Sequence, residues 1–188
     1  MRFFKKYYFA LILVFAVSGG RGYAQDRNIR TQYFTVSYYE GCDLTELANK
    51  LNAEHFLHID IFSENRKGKD INAVISKLVD SIYLEVSDIL DIHLYSFDGT
   101  ISILPNNSFI SDLTEQYSGS RINAPSFYFS SRNTIYLSLV ELNIGILAHE
   151  MTHAIISHYF VVAPSPKVQE VLAGYVEYSI RKTTGTLP

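Results

Sequence analysis

Ile144-Gly145-Ile146-Leu147-Ala148-His149-Glu150-Met151-Thr152-His153-Ala154-Ile155-Ile156 is an apolar run broken by two histidines and a glutamate in the spacing HExxH. The apolar flanks predict a buried helix, in which these three residues have no packing reason to cluster. A helix turns about 100° per residue, so His149 and His153 lie one above the other on a single face, with Cβ atoms about 5–6 Å apart. Both imidazoles can then reach one ion. Glu150 projects about a quarter-turn away, close enough to hydrogen-bond a water held by a metal and act as its general base.

A catalytic zinc takes three protein ligands and leaves a fourth position open. Three residues downstream are candidates for the third. His158 lies five residues after His153, about 180° around a continuing helix from His149, and is expected to face away from the ion as a helix-end residue beside the C-terminal dipole. Val161-Val162-Ala163-Pro164-Ser165-Pro166 then interrupts the helix, and a new apolar period starts at once, with Ser165 suited to the N-cap and Pro166 to the first helical position. A second helix from Pro166 to about Arg181 would carry Glu170, Ala173, Gly174 and Glu177 along one face.

The stretch Ile146 to Ala154, taken with Pro166-Lys167-Val168-Gln169-Glu170-Val171-Leu172-Ala173-Gly174-Tyr175-Val176-Glu177, resembles the peptidase MA-like family of gluzincins. There the HExxH helix is followed by a helix whose glutamate is the third zinc ligand. The resemblance implies a zincin-like α+β fold, one Zn²⁺ per chain held by His149, His153 and Glu170, and a peptide or protein substrate. Ala173 and Tyr175 also match the family, whereas Val168 stands where it often has Trp and Val171 where it usually has Gly. Glu177, two turns beyond Glu170, is placed to orient a ligand and is the reserve candidate for the third ligand. Tyr175 lies about 140° around the helix from Glu170 and is expected in the core. In the implied mechanism zinc polarises a water, Glu150 takes its proton as it attacks a peptide carbonyl, and the same carboxyl then protonates the leaving amine.

The chain of 188 residues opens on basic Arg2, Lys5 and Lys6, an apolar run from Phe9 to Val17, and small residues at Gly22 and Ala24, the layout of a secretory signal peptide over residues 1–24. The expectation is export to the periplasm or the medium, with an uncleaved N-terminal anchor as the alternative. The apolar run is too short for a spanning helix, so no stable membrane span is expected after cleavage. Cleavage removes four of the 16 basic residues (Arg2, Lys5, Lys6, Arg21) and none of the 19 acidic ones, which leaves a net charge of −7. Such an acidic exported protein is a poor nucleic-acid binder. With a single cysteine, Cys42, no internal disulfide forms. Beside the helix start at Asp43 its thiolate would be favoured; as a small buried residue it would stay a thiol.

Residues 25–188 suffice for one core and are expected to form a single zincin-like metallopeptidase domain. A small mixed or antiparallel sheet packs there against helices. Thr31 to Tyr38 has strand composition, Asp43 caps a helix to about Asn52, and Leu57, Ile59 and Ile61 alternate as a strand before the exposed loop Ser63 to Lys69. Ile71, Val74, Ile75, Leu78, Ile82, Val86 and Ile89 predict a long amphipathic helix from Asp70 to Leu90. Asp98-Gly99 turns into a strand at Thr100–Leu104, followed by a helix near Ser108 to Tyr117. Ser126–Phe129 and Thr134–Leu139 read as a hairpin leading to the HExxH helix, with Asn143 as its N-cap. Two rival functions remain open: a zinc-bearing envelope module that cleaves nothing and binds a protein partner, and a hydrolase of cell-wall peptide amides.

Overall fold

The structure is a computed structural model that describes residues 27–51 and 70–187. The proposed leader 1–24, the strand 57–61 and the loop 63–69 lie outside those residues. In chain order the elements are β1 (Arg27–Arg30), β2 (Phe34–Tyr38), α1 (Leu44–Leu51), α2 (Ile71–Leu90), β3 (Gly99–Leu104), α3 (Asn107–Ser118), β4 (Ser126–Phe129), β5 (Thr134–Ser138), α4 (Ile144–Tyr159) and α5 (Pro166–Thr183). The five strands form one mixed sheet in the order β1-β2-β3-β5-β4. Its three central strands run parallel, and β1 and β4 close the two sides antiparallel. The architecture is α+β, with the sheet packed against helices.

Period-2 alternation sorts the central strands. Val36, Ile101, Ile103, Ile135 and Leu137 are buried in the larger core together with apolar residues of α1, α2, α4 and α5. Leu104 and Tyr136 point to the other face and pack under Ile110 and Leu113 of α3. Within the larger core Tyr83 of α2 meets Phe34 and Phe97 ring to ring, and its hydroxyl donates to the Leu94 carbonyl at 3.1 Å. That bond satisfies the one polar atom of a side chain buried for its apolar body.

Helix ends follow local chemistry. Asp43 accepts from the backbone of Thr45 and Glu46 at the start of α1, Asp70 from Asn72 at the start of α2, and Asn143 from Ile146 at the start of α4. At α5 the outcome differs from the expected side-chain cap. Ser165 occupies the N-cap position with Pro166 after it, but its side chain makes no capping bond, and its carbonyl instead accepts from Val168 and Gln169.

The first strand region is also corrected. Thr31–Tyr33 is a bend rather than strand, because the Thr31 hydroxyl accepts from Tyr33 and Phe34 and the Asp80 carboxylate accepts from the Gln32 amide at 3.0 Å. Local side-chain acceptors there outcompete the ladder. A separate strand, β1, precedes the bend and pairs Arg27 with Tyr38.

Candidate metal centre

Helix α4 sets the site. Leu147, Ala148, Met151, Ala154 and Ile155 are fully buried against the sheet and α2, which turns His149 and His153 toward α5. The rings stand one turn apart with centroids at 5.1 Å. Across from them Glu170, in the second turn of α5, places one oxygen 3.5 Å from His149 Nε2 and the other 3.4 Å from His153 Nε2. One ligating atom from each of the three residues lies within 4.8 Å of the others, so the group could hold a metal ion.

The second ring nitrogen of His149 is engaged as well. Its Nδ1 lies 3.2 Å from Glu177 Oε2, and a carboxylate can only accept, so this contact selects the tautomer that carries hydrogen on Nδ1. The Nε2 lone pair then faces Glu170. Glu177 is itself fixed by Arg181, whose Nη1 donates to Oε1 at 3.3 Å. Arg181 lies across the start of α4, where a Cβ on Gly145 would come within 2.8 Å of its side-chain carbons. The same Cβ would stand 3.2 Å from Asn143 Oδ1, so a side chain at 145 would press on both the arginine and the cap.

Glu150 is 6 % exposed and accepts a 2.6 Å hydrogen bond from the Ser126 hydroxyl. Burial pushes its carboxyl above the ordinary range, and the Ser126 bond and the neighbouring imidazoles pull it partly back. Ser126 and Tyr128 sit two apart on β4 and so share the strand face toward α4, while Phe127 and Phe129 pack on the α3 side. A cleft of about 710 Å³ runs between this strand and the start of α5, with His149, Glu150, His153 and Glu170 in its wall. Burial pushes the Tyr128 hydroxyl up to about 12, so at neutral pH it is a donor, and it donates to Asn133 at 3.3 Å.

Other residues singled out in the sequence stand apart from the centre. His158 donates from Nδ1 to the Ala154 carbonyl one turn back, at 2.9 Å, and sets its ring edge-on to Phe97. Tyr175 was expected in the core and is 59 % exposed on the outside of α5, since Ala173, Val176 and Ile180 supply the buried side of that helix. Cys42 is half-buried, and burial followed by the charges of Asp43 and Glu46 pushes its thiol up to about 11, which rules out a favoured thiolate. Ser126 and Arg181 went unnoticed in the sequence. The available signals were the alternation in Ser126-Phe127-Tyr128-Phe129, which sets two hydroxyl-bearing residues on one face, and the i,i+4 spacing of Glu177 and Arg181.

Comparison of the chain with protein families, with characterised proteins and with solved structures finds no match.

Proposed function

We propose that this is a zinc-dependent peptidase of zincin-like architecture, exported by way of residues 1–24, with His149, His153 and Glu170 as ligands and Glu150 as the proton-transfer group. The observation that carries the proposal is the convergence of two imidazole Nε2 atoms on one carboxylate, with a second, buried carboxyl, that of Glu150, beside them. Bonds of about 2.0–2.1 Å at tetrahedral angles require ligand atoms about 3.3–3.4 Å apart. The two Nε2 atoms lie 3.5 and 3.4 Å from separate oxygens of Glu170, and one ligating atom from each residue falls within 4.8 Å of the others, so small side-chain adjustments bring the three onto such an ion. Two nitrogens and one oxygen favour zinc over magnesium or calcium, which prefer all-oxygen shells.

A zinc ion held there would supply Lewis acidity toward water and toward the carbonyl oxygen of a scissile amide. The chain's own residues do the rest. Glu150 in its carboxylate form accepts the proton of an attacking water and delivers it to the leaving nitrogen, and its raised pKa makes it the stronger base for the first of these transfers. Ser126 holds the carboxylate in place. Glu177 and Arg181 fix the ring of His149, so its Nε2 stays aimed at the ion. β4 lies at the end of the sheet order, and its outer edge borders the cleft, where an extended peptide can add by backbone pairing.

Glu170→Ala is expected to lose most bound zinc and all detectable peptide cleavage. Glu177→Ala should keep the ion with about 10–100-fold weaker affinity, as loss of an orienting carboxylate does. Metal analysis finding Glu170→Ala fully loaded and Glu177→Ala empty would exchange the two roles.

A further inference from the structure

Helix α5 has a second face that the catalytic reading does not use. At 100° per residue, Ala173, Val176 and Ile180 fall within an arc of about 60° and are buried. Val168, Val171, Tyr175 and Tyr178 fall within about 80° on the opposite side, and all four are exposed. The loop that leads into the helix adds Val161 and Val162, at 104 % and 84 % exposure. Surface aliphatic and aromatic residues scattered singly need no explanation, but a stripe at helical spacing joined to two protruding valines marks a contact surface.

Charge decides what the surface contacts. Both carboxylates of α5, Glu170 and Glu177, are turned to the candidate metal centre, and Arg181 is held on Glu177. On the outward half of the helix the charged side chains are Lys167 at the first turn and Lys182 at the last, with no acidic residue between them. The chain as a whole carries 19 acidic residues against 16 basic ones, so this segregation runs against its composition. Packing the stripe on a second copy of itself, antiparallel about a two-fold axis, would bring the Lys167 of each helix to the Lys182 of the other with no counter-charge. An anionic lipid surface suits all the parts. Valines enter the acyl boundary, tyrosines sit at headgroup level, and the lysines at both ends reach the phosphates.

We propose that the outward face of α5 and the Val161–Val162 loop dock this domain on an anionic bilayer. Among the described residues no helix is long and apolar enough to cross a membrane, so the contact is peripheral. It holds the cleft between β4 and α5 beside the lipid surface, and it does not depend on the metal.

The chain contains no tryptophan, so V162W and Y178W each place a single fluorescent reporter on the face without background. With vesicles of phosphatidylcholine containing phosphatidylglycerol, both full-length reporters should shift their emission to the blue and be quenched by a bilayer-embedded quencher. Vesicles of phosphatidylcholine alone should do neither. Adding K167Q and K182Q should weaken the apparent partition about fivefold per lysine removed, and added salt should weaken it likewise. Attachment through the apolar N-terminal segment alone would leave both reporters in water on bound protein and would overturn the proposal. So would equal shifts on both vesicle types, insensitivity to K167Q and K182Q, or a blue shift without vesicles that grows with protein concentration, the signature of self-association.

Discussion

His149 uses both of its ring nitrogens, Nε2 toward Glu170 and Nδ1 toward Glu177, and this division of labour is what lets a helical HExxH offer a candidate ligand set. Glu150 is the costlier residue. Its carboxyl is buried with one hydroxyl donor, Ser126, so the folded state holds it protonated to a higher pH than the unfolded chain does. In metal-free protein the folded state therefore binds the extra proton, so the contribution of Glu150 to stability is greatest below the ordinary value of 4.5 and falls as pH rises through the folded-state value. Glu150→Gln removes the titration. The metal-free variant is expected to be more stable than the parent at neutral pH, by a few degrees in Tm, with the difference shrinking as pH is lowered to about 4. Thermal melts in a chelating buffer check this, and a variant less stable than the parent at neutral pH would contradict the buried-carboxyl account. These two histidines and Glu150 were legible because the motif and the helical period coincide. Ser126 was not, because it reaches Glu150 only through tertiary packing; the Glu177–Arg181 pair has readable i,i+4 spacing, but its approach to His149 depends on how α5 packs on α4. Tyr175 misled because its angle from Glu170 is fixed by helix geometry, while the direction of the core is set by Ala173, Val176 and Ile180.

Among elements, α4 and α5 act as one unit, joined by the His149–Glu177 contact as well as by apolar packing. Gly145 is the close approach that permits it. A Cβ there meets Arg181 at 2.8 Å, so Gly145→Ala must displace the arginine from Glu177 or shift the helix. The expected cost is about 1–3 kcal/mol of stability, as for other overpacking substitutions, together with weaker zinc binding. Asn143→Ala should cost about 1 kcal/mol through loss of the cap and leave zinc affinity unchanged. Urea titrations with parallel metal-binding isotherms separate the two, and equal zinc affinity in both variants would break the proposed link between Arg181 and the centre. Helices α1, α2 and α4 were legible in the sequence because each opens on a capping side chain, with an apolar pattern behind it, and α5 because Pro166 opens a new apolar period. The strands were less so. β1 has one apolar residue, Ile29, among Arg27, Asn28 and Arg30, and exists because β2 offers it an edge; the parallel pairing of β2, β3 and β5 joins residues far apart in sequence that no local pattern specifies.

At the scale of the molecule, two cores flank one sheet, and the candidate centre lies where the HExxH helix, the Glu-bearing helix and edge strand β4 meet. The proposed export by way of residues 1–24 predicts a mature N-terminus at Gln25 in a secreting host, to be read by mass spectrometry of the exported protein. Retention of residues 1–24 on that protein would replace cleavage with anchoring. The central claim is that the centre is catalytic, with metal holding and proton transfer assigned to different residues. Its most direct test is a paired measurement of zinc content and cleavage of a broad peptide library on the parent, Glu150→Gln and His149→Ala. The parent and Glu150→Gln should each hold one zinc per chain, with cleavage by Glu150→Gln lower by at least about 10²–10⁴-fold, and His149→Ala should lose both metal and activity. A zinc-loaded parent that cleaves nothing, or a Glu150→Gln variant as active as the parent, would contradict the assignment.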